Sequence, residues 1–281
     1  MRLSRYLLVE YNDSGYDEPR SKTISVMEAV NYVLKNCKHS LNGTQIRRDI
    51  SGSNSSEVAR FTDPAKGKPR VSRNTSNHYT LIIDNSPKWK RYPKRSKSII
   101  CSVRTGRFHV FPENKSRIGV CPSYDFWPSF EGSDIWDLDG FNISIAELAH
   151  FILKDDSDYV GIWDTSYKQV VKTLKMIDDA KKEDYERFIK ELSSDRDHGA
   201  VGSFMSDSSN EFLFSYIKDK SAKLLPYVEN LLDPNKNGFQ IKFAGSKITG
   251  DKEVWTDGKA ILVNHAQYEH FMNEISRLGK R

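Results

Sequence analysis

The chain has 281 residues, enough to bury a core without disulfide or metal staples, and its 43 basic against 38 acidic residues exclude a protein that acts as a polyelectrolyte along its whole length. An aromatic content of 11% with five tryptophans excludes wholesale disorder, because such side chains supply the burial that offsets chain entropy. Cys37, Cys101 and Cys121 lack the close spacing of a zinc or disulfide framework, and the first apolar run stops at Glu10, too soon for a signal-peptide core or a membrane span.

In chain order, the alternation over residues 3–11 predicts a strand, and Ser25 followed by Glu28 predicts a capping box that opens a helix with Val26, Ala29, Val30, Val33 and Leu34 on one face. Residues 41–70 are rich in Gly, Ser, Asn, Asp and Pro and read as a flexible flap. The β-branched and aromatic run Tyr79 to Ile83 predicts a strand. Pro87 and Pro93 bracket a turn, and three short strands follow at Ser98 to Val103, Arg107 to Phe111 and Arg117 to Cys121. Their close succession predicts hairpins.

Ser144 and Glu147 form a second capping box, and helical periodicity then takes over. Tyr167, Val170, Val171, Leu174 and Ile177 make one stripe, continued by Tyr185, Phe188, Ile189 and Leu192. A further helical stretch runs from Phe212 to Leu232 and is bent or broken near Pro226. Strands return at Phe239 to Phe243, Glu253 to Trp255 and Ala260 to Val263, the last two joined by an Asp257-Gly258 turn. Asn264 caps a final helix carrying Tyr268, Phe271, Met272, Ile275 and Leu278. The expectation is a single α+β domain over residues 1–281, with a mainly antiparallel sheet and a helical insertion over residues 144–232.

Gly245 to Lys252 has the glycines of a phosphate-binding loop, but Asp251 stands where the lysine belongs. His265 and His270 fall on different helical faces, so no metal site is expected. The run Lys88, Lys90, Arg91, Lys94, Arg95 and Lys97, interleaved with Trp89 and Tyr92, contains no acid. It can track phosphates and stack bases, or be a solvated face, and composition does not choose.

The segment Arg95 to Ser102, followed by Gly106, by Phe108 to Pro112 and by Ile118 to Val120, resembles the serine-strand region of the arginine-serine-glutamate class of ADP-ribosyltransferases. Arg73 precedes the run Tyr79 to Ile83 where the resemblance puts the arginine that holds NAD, with Arg95 as the alternative. Lys252 to Trp255 with Gly258 is similar to the late strand bearing the catalytic glutamate. The chain departs from that pattern where Ser98-Ile99-Ile100-Cys101-Ser102 replaces Ser-Thr-Ser, and where Asp251 replaces a Glu or Gln two residues before Glu253.

The resemblance implies an ADP-ribosyltransferase-like fold with NAD as substrate and no metal. Glu253, Ser98 and Ser102 are then catalytic; Arg73 or Arg95, with Ser98, binds NAD; and Lys88, Lys90, Arg91 and Lys94 receive a macromolecular acceptor, protein or nucleic acid. Leaving nicotinamide gives the ribose oxocarbenium character, which a carboxylate stabilises, while an arginine fork suits a pyrophosphate. The expected setting is the cytoplasm without a membrane partner, that of a bacterial host if the chain is phage-encoded. The alternative is a non-catalytic nucleic-acid-binding or virion-associated protein using residues 88–97.

Overall fold

In the computed structural model the described residues are 21–50, 58–70, 77–122, 166–184, 186–187 and 223–280. They form an α+β arrangement around a nine-stranded sheet. The strands are β1 (Ser21–Ile24), β2 (Ile46–Arg48), β3 (Ala59–Thr62), β4 (Ile99–Ser102), β5 (Phe108–Pro112), β6 (Arg117–Val120), β7 (Gln240–Phe243), β8 (Glu253–Thr256) and β9 (Ala260–Asn264). Their order across the sheet is β1-β3-β9-β5-β2-β4-β8-β6-β7. Every described pairing is antiparallel.

This order overturns the expected hairpins. β2 lies between β4 and its sequence successor β5, and β8 and β9 are separated by β5, β2 and β4. Asp257-Gly258 is therefore a crossing connection and not a hairpin turn. The stretch read as a flap contributes two strands, and β2 stands at the centre of the sheet. Strands of three or four residues are too short to show a period in a Gly- and Ser-rich background.

Five helices are described: α1 (Val26–Asn36), α2 (Asn77–Asn85), α3 (Tyr167–Asp178), α4 (Leu224–Leu231) and α5 (Tyr268–Leu278). The capping box on α1 forms as the sequence predicts: the Glu28 N–H donates to Ser25 Oγ at 3.2 Å and the Ser25 N–H donates to Glu28 Oε2 at 2.8 Å. The Tyr79 to Ile83 run is helical, within α2, and not a strand. Asn77 to Thr80, Ile82 and Ile83 are all buried, and a helix covered on several sides offers no polar face to betray its period.

Two apolar clusters lie on opposite faces of the sheet. One gathers Ile46, Ile99, Cys101, Val110, Ile118, Val120, Val254 and Leu262, with Ile50 and Ile248 from loops. Ile248 is held there by Thr44, which accepts its N–H at 2.8 Å and donates to its carbonyl at 3.1 Å, tying the loop after β7 to the segment before β2. The other cluster packs Ala29, Val30 and Val33 of α1 and Phe271 and Ile275 of α5 on Phe111, Ile261 and Val263.

The helical stripe carried by Val170, Leu174 and Ile177 is buried, and α3 packs on both α2 and α4. The Asp178 carboxylate accepts the Leu224 N–H at 3.0 Å, where α4 begins. The expected strand at 3–11, the capping box at Ser144 and Glu147, and the apolar positions from Tyr185 to Leu192 and from Phe212 to Ile217 lie outside the described residues. No helix among the described residues is long and apolar enough to cross a membrane.

Candidate active site

Side chains alternate between faces along a strand, and residues directly opposite on neighbouring strands share a face. In β8 this puts Glu253 and Trp255 on the face away from Val254, which belongs to the apolar cluster with Ile46, Cys101 and Val110. Glu253 stands opposite Ser102 of β4, Ser102 opposite Arg47 of β2, and Arg47 opposite His109 of β5. A carboxylate, a hydroxyl, a guanidinium and an imidazole thus form one row across β8, β4, β2 and β5.

Arg95 closes one end of this row. It lies in the 3-10 turn Arg95–Lys97 that leads into β4. That turn is fixed by Asp84 near the end of α2, whose two carboxylate oxygens accept the backbone N–H groups of Arg95 at 2.7 Å and Ser96 at 3.1 Å. Burial pushes the Asp84 carboxyl up, and these hydrogen bonds oppose the shift. The Arg95 guanidinium donates through Nη1 to Glu253 Oε1 and lies over the Trp255 indole, 5.4 Å from the ring centre. Both partners of this ion pair are buried, with side-chain exposures of 5% and 12%.

Trp255 is locked in turn: its indole N–H donates to the Pro93 carbonyl at 3.0 Å, and its ring lies across Gly119. A Cβ at Gly119 would sit 2.6 Å from Trp255 Cε2, so only glycine lets the indole lie there. Trp89 and Phe239 pack edgewise with centroids 4.9 Å apart, and Phe239 lies 5.9 Å from Trp255.

The serines divide. Ser98 precedes β4 and its hydroxyl donates to the Lys94 carbonyl at 2.7 Å, so it serves the turn and not the carboxylate. Ser102 is the serine beside Glu253. Its oxygen accepts the N–H groups of Arg104 at 3.0 Å and Thr105 at 3.3 Å, which leaves its proton to give.

Arg95, one of the two arginines expected to hold NAD, donates to Glu253. Arg73, the other, lies outside the described residues. Lys88, Lys90, Arg91, Lys94 and Lys97 are exposed, and Lys88 pairs with Asp233 at 3.0 Å. Trp89 and Tyr92 correct the expectation of base stacking. They are buried, with Trp89 Nε1 donating to the Leu232 carbonyl at 2.8 Å and the Tyr92 hydroxyl to the Phe239 carbonyl at 3.0 Å. An aromatic ring held inside the core cannot receive a base.

Sequence reasoning missed Arg47 and the group beyond it. His109 Nε2 and His265 Nδ1 are 2.9 Å apart, and the His109 ring stacks on Tyr268 with centroids 3.8 Å apart. Burial, and then the positive charges of Arg47 and His265, lower the His109 pKa to about 4. Nothing local marks these residues, because register alone brings β2, β5 and the segment after β9 together.

Burial pushes the Cys37 and Cys101 thiols up to about 12, which leaves them poor nucleophiles. Among the described residues no group of three or more His, Cys, Asp or Glu side chains could hold a metal ion. Compared with known proteins, the chain matches no family model, no curated protein and no solved structure.

Proposed function

We propose that the row centred on Glu253 is the active site of an ADP-ribosyltransferase that moves ADP-ribose from NAD to a macromolecular acceptor. The observation that carries this reading is the direct opposition of Ser102 and Glu253 across β4 and β8, with an arginine bonded to the carboxylate. It supports the resemblance in residue type, and it shifts two roles. Of the two serines expected to be catalytic, Ser102 keeps that part and Ser98 does not, and Arg95 becomes the residue that positions Glu253.

In the transfer, the bond between nicotinamide and ribose C1′ breaks and its electron pair leaves on nicotinamide. An acceptor nucleophile gives its pair to C1′, and its proton passes to the Glu253 carboxylate. C1′ is most positive between these events, so a carboxylate held beside it stabilises the transition state more than bound NAD. Arg95, stacked on Trp255, limits the rotamers open to that carboxylate, and the Ser102 hydroxyl can donate to the carboxylate or to a ribose hydroxyl. The exposed Lys90, Arg91 and Lys94 suit an acceptor with an anionic face.

The test is incorporation of labelled NAD by wild type and Glu253→Gln, both checked for folding by circular dichroism. Labelling of the acceptor by wild type alone supports the assignment, and equal labelling by the glutamine variant sinks it.

The exposed cations favour one second reading, a nucleic-acid-binding protein without catalysis. Steeply salt-dependent binding together with no NAD turnover would select it.

A further inference from the structure

Between residues 87 and 97 the exposed side chains are Pro87 and the cations Lys88, Lys90, Arg91, Lys94 and Lys97, while Trp89, Tyr92, Pro93 and Arg95 are buried. The buried members are tied down. Trp89 donates to the Leu232 carbonyl, Tyr92 to the Phe239 carbonyl, the Pro93 carbonyl accepts the Trp255 indole N–H, and Asp84 accepts the N–H groups of Arg95 and Ser96. The cations therefore project from a fixed frame.

The charge continues onto α3. Asp178 at the end of α3 accepts the N–H of Leu224 at the start of α4. Burial, and then the charge of Glu229 near the end of α4, raise the pKa of Tyr167 at the start of α3. The two packed helices thus run in opposite directions. Lys88, which donates to Asn230 at 3.3 Å and pairs with Asp233 at 3.0 Å, sits at the end of α4 that lies beside the start of α3. From that start, Lys168, Lys172 and Lys175 are exposed, and their spacing of four and three residues puts them on one face of α3.

Lys90, Arg91, Lys94 and Lys97 form no ion pair with any described residue, nor do the three lysines of α3, whereas Lys182 just beyond α3 pairs with Glu186 at 3.3 Å. Cations gathered without counter-ions repel one another. A polyanion that neutralises several at once removes the repulsion and releases its own counter-ions.

We propose that the turns over residues 87–97 and the lysine face of α3 form a docking surface for the sugar-phosphate backbone of double-stranded DNA. A single strand is held largely by stacking on aromatic rings, and Trp89 and Tyr92 face inward. A protein partner calls for aromatic anchors and an interface poor in lysine, and residues 87–97 expose no aromatic side chain. Double-stranded RNA is gripped through its 2′-hydroxyls as well as its phosphates, and the exposed side chains of this stretch include no acceptor for a hydroxyl proton. Ammonium and guanidinium groups on a fixed frame suit a rigid lattice of phosphates, bound without regard to sequence. As an acceptor site the surface rests on the transferase reading; as a binding site it stands without it.

Fluorescence anisotropy of a labelled DNA duplex of about 20 base pairs, titrated with the full chain at several salt concentrations, tests the surface. For wild type the logarithm of the affinity should fall by about four or more per tenfold rise in salt. Lys94→Ala with Lys97→Ala, and Lys168→Ala with Lys172→Ala, should each weaken binding roughly tenfold at low salt and reduce that slope by about two. Lys182→Ala, which removes a lysine already neutralised, should change neither. Circular dichroism checks that each variant folds.

Unchanged affinity in either double variant would overturn the surface, as would absence of duplex binding by wild type at low salt. An equal loss in Lys182→Ala would overturn it too, because net charge alone would then account for the binding. Competition decides the partner: unlabelled duplex DNA should displace the probe at lower concentration than a single strand or duplex RNA of the same length, or poly-glutamate. Any of these competing as well as duplex DNA overturns the assignment, the last by making the partner an acidic protein. NAD labelling without duplex binding would remove this surface and leave the transferase reading, and duplex binding without labelling would do the reverse.

Discussion

The two faces of β8, β4 and β2 are built from alternate residues of the same short strands, yet they do opposite work. On one face Val254, Cys101 and Ile46 join a continuous apolar cluster. On the other, Glu253, Ser102 and Arg47 stand in a row, with Arg95 bonded over Trp255. Burial stabilises the first face at roughly 25 cal/mol per Å² of apolar surface. The second gains little from burying charges, because desolvation offsets most of the attraction between them. Apolar side chains of similar volume in place of the buried arginine and glutamate would hold the sheet about as well.

The largest expected effect breaks the comparison on its apolar side. Val254→Asp places an unpaired carboxylate in the cluster, at a cost of several kcal/mol, and should abolish the cooperative unfolding transition in urea. Leu174→Asp makes the same test in the helical layer, where Leu174 is buried on α3, the helix that packs on α2 and α4. A melting temperature like that of wild type in either variant would show that the position is not core.

The next prediction sits one residue away on the opposite face. On the proposed transferase reading, Glu253→Gln should lower the transfer rate on the order of a hundredfold or more while changing NAD affinity little, since the missing charge would act on the transition state. The same substitution leaves the Arg95 guanidinium facing a neutral partner, so a lowered melting temperature should accompany the lost rate. Assays well below the melting point separate the two effects, and the double variant Arg95→Gln with Glu253→Gln should be more stable than the single glutamine variant, because no buried charge is left alone. If the single variant were the more stable of the two, Arg95 would not depend on Glu253 for its counter-ion.

A third prediction uses His109, at the far end of the row. Its pKa is about 4 in the folded chain against an ordinary value of about 6.5. Between those values the unfolded chain binds the additional proton, so stability falls as the pH is lowered from about 7 toward 4 and is fully recovered above the unfolded pKa. The contribution is at most about 3 kcal/mol. His109→Gln should flatten the dependence over that window in denaturant titrations, leaving the slope due to buried His78, whose pKa burial lowers to about 3. An unchanged slope would place His109 in water.

The smallest effect is expected outside the row. Lys90→Glu combined with Arg91→Glu reverses two exposed charges and should weaken acceptor binding roughly tenfold at low salt, with NAD binding unaffected. Equal loss of both affinities would show that the patch and the row form one site.

Much of the fold is legible where a local rule decides. The Ser25 and Glu28 pair announces α1, Asn264 accepts the Ala266 N–H at 3.0 Å just before α5, and short apolar runs between turn residues announce β4, β5, β6, β8 and β9. Local rules failed where burial hid the pattern, as in α2, and where a strand was too short to display one, as in β2. The candidate site follows the same division. Glu253 and Ser102 stand out by type and resemblance, whereas the bond from Arg95 to Glu253 and the places of Arg47 and His109 in the row have no local signal.

The sequence by itself determined the capped helix α1, the longer strands and several of the residues that could carry chemistry, because caps and side-chain type act over a few residues. Tertiary structure alone decided that Ser102 faces Glu253, that Arg47 and His109 continue the row, and that Trp89 and Tyr92 turn inward. Those outcomes rest on pairing strands far apart in the chain, where the closing of long loops is repaid by burying the face that carries Val254, Cys101 and Ile46. The register that satisfies the apolar face also fixes the polar one, since in a strand the two cannot be set independently.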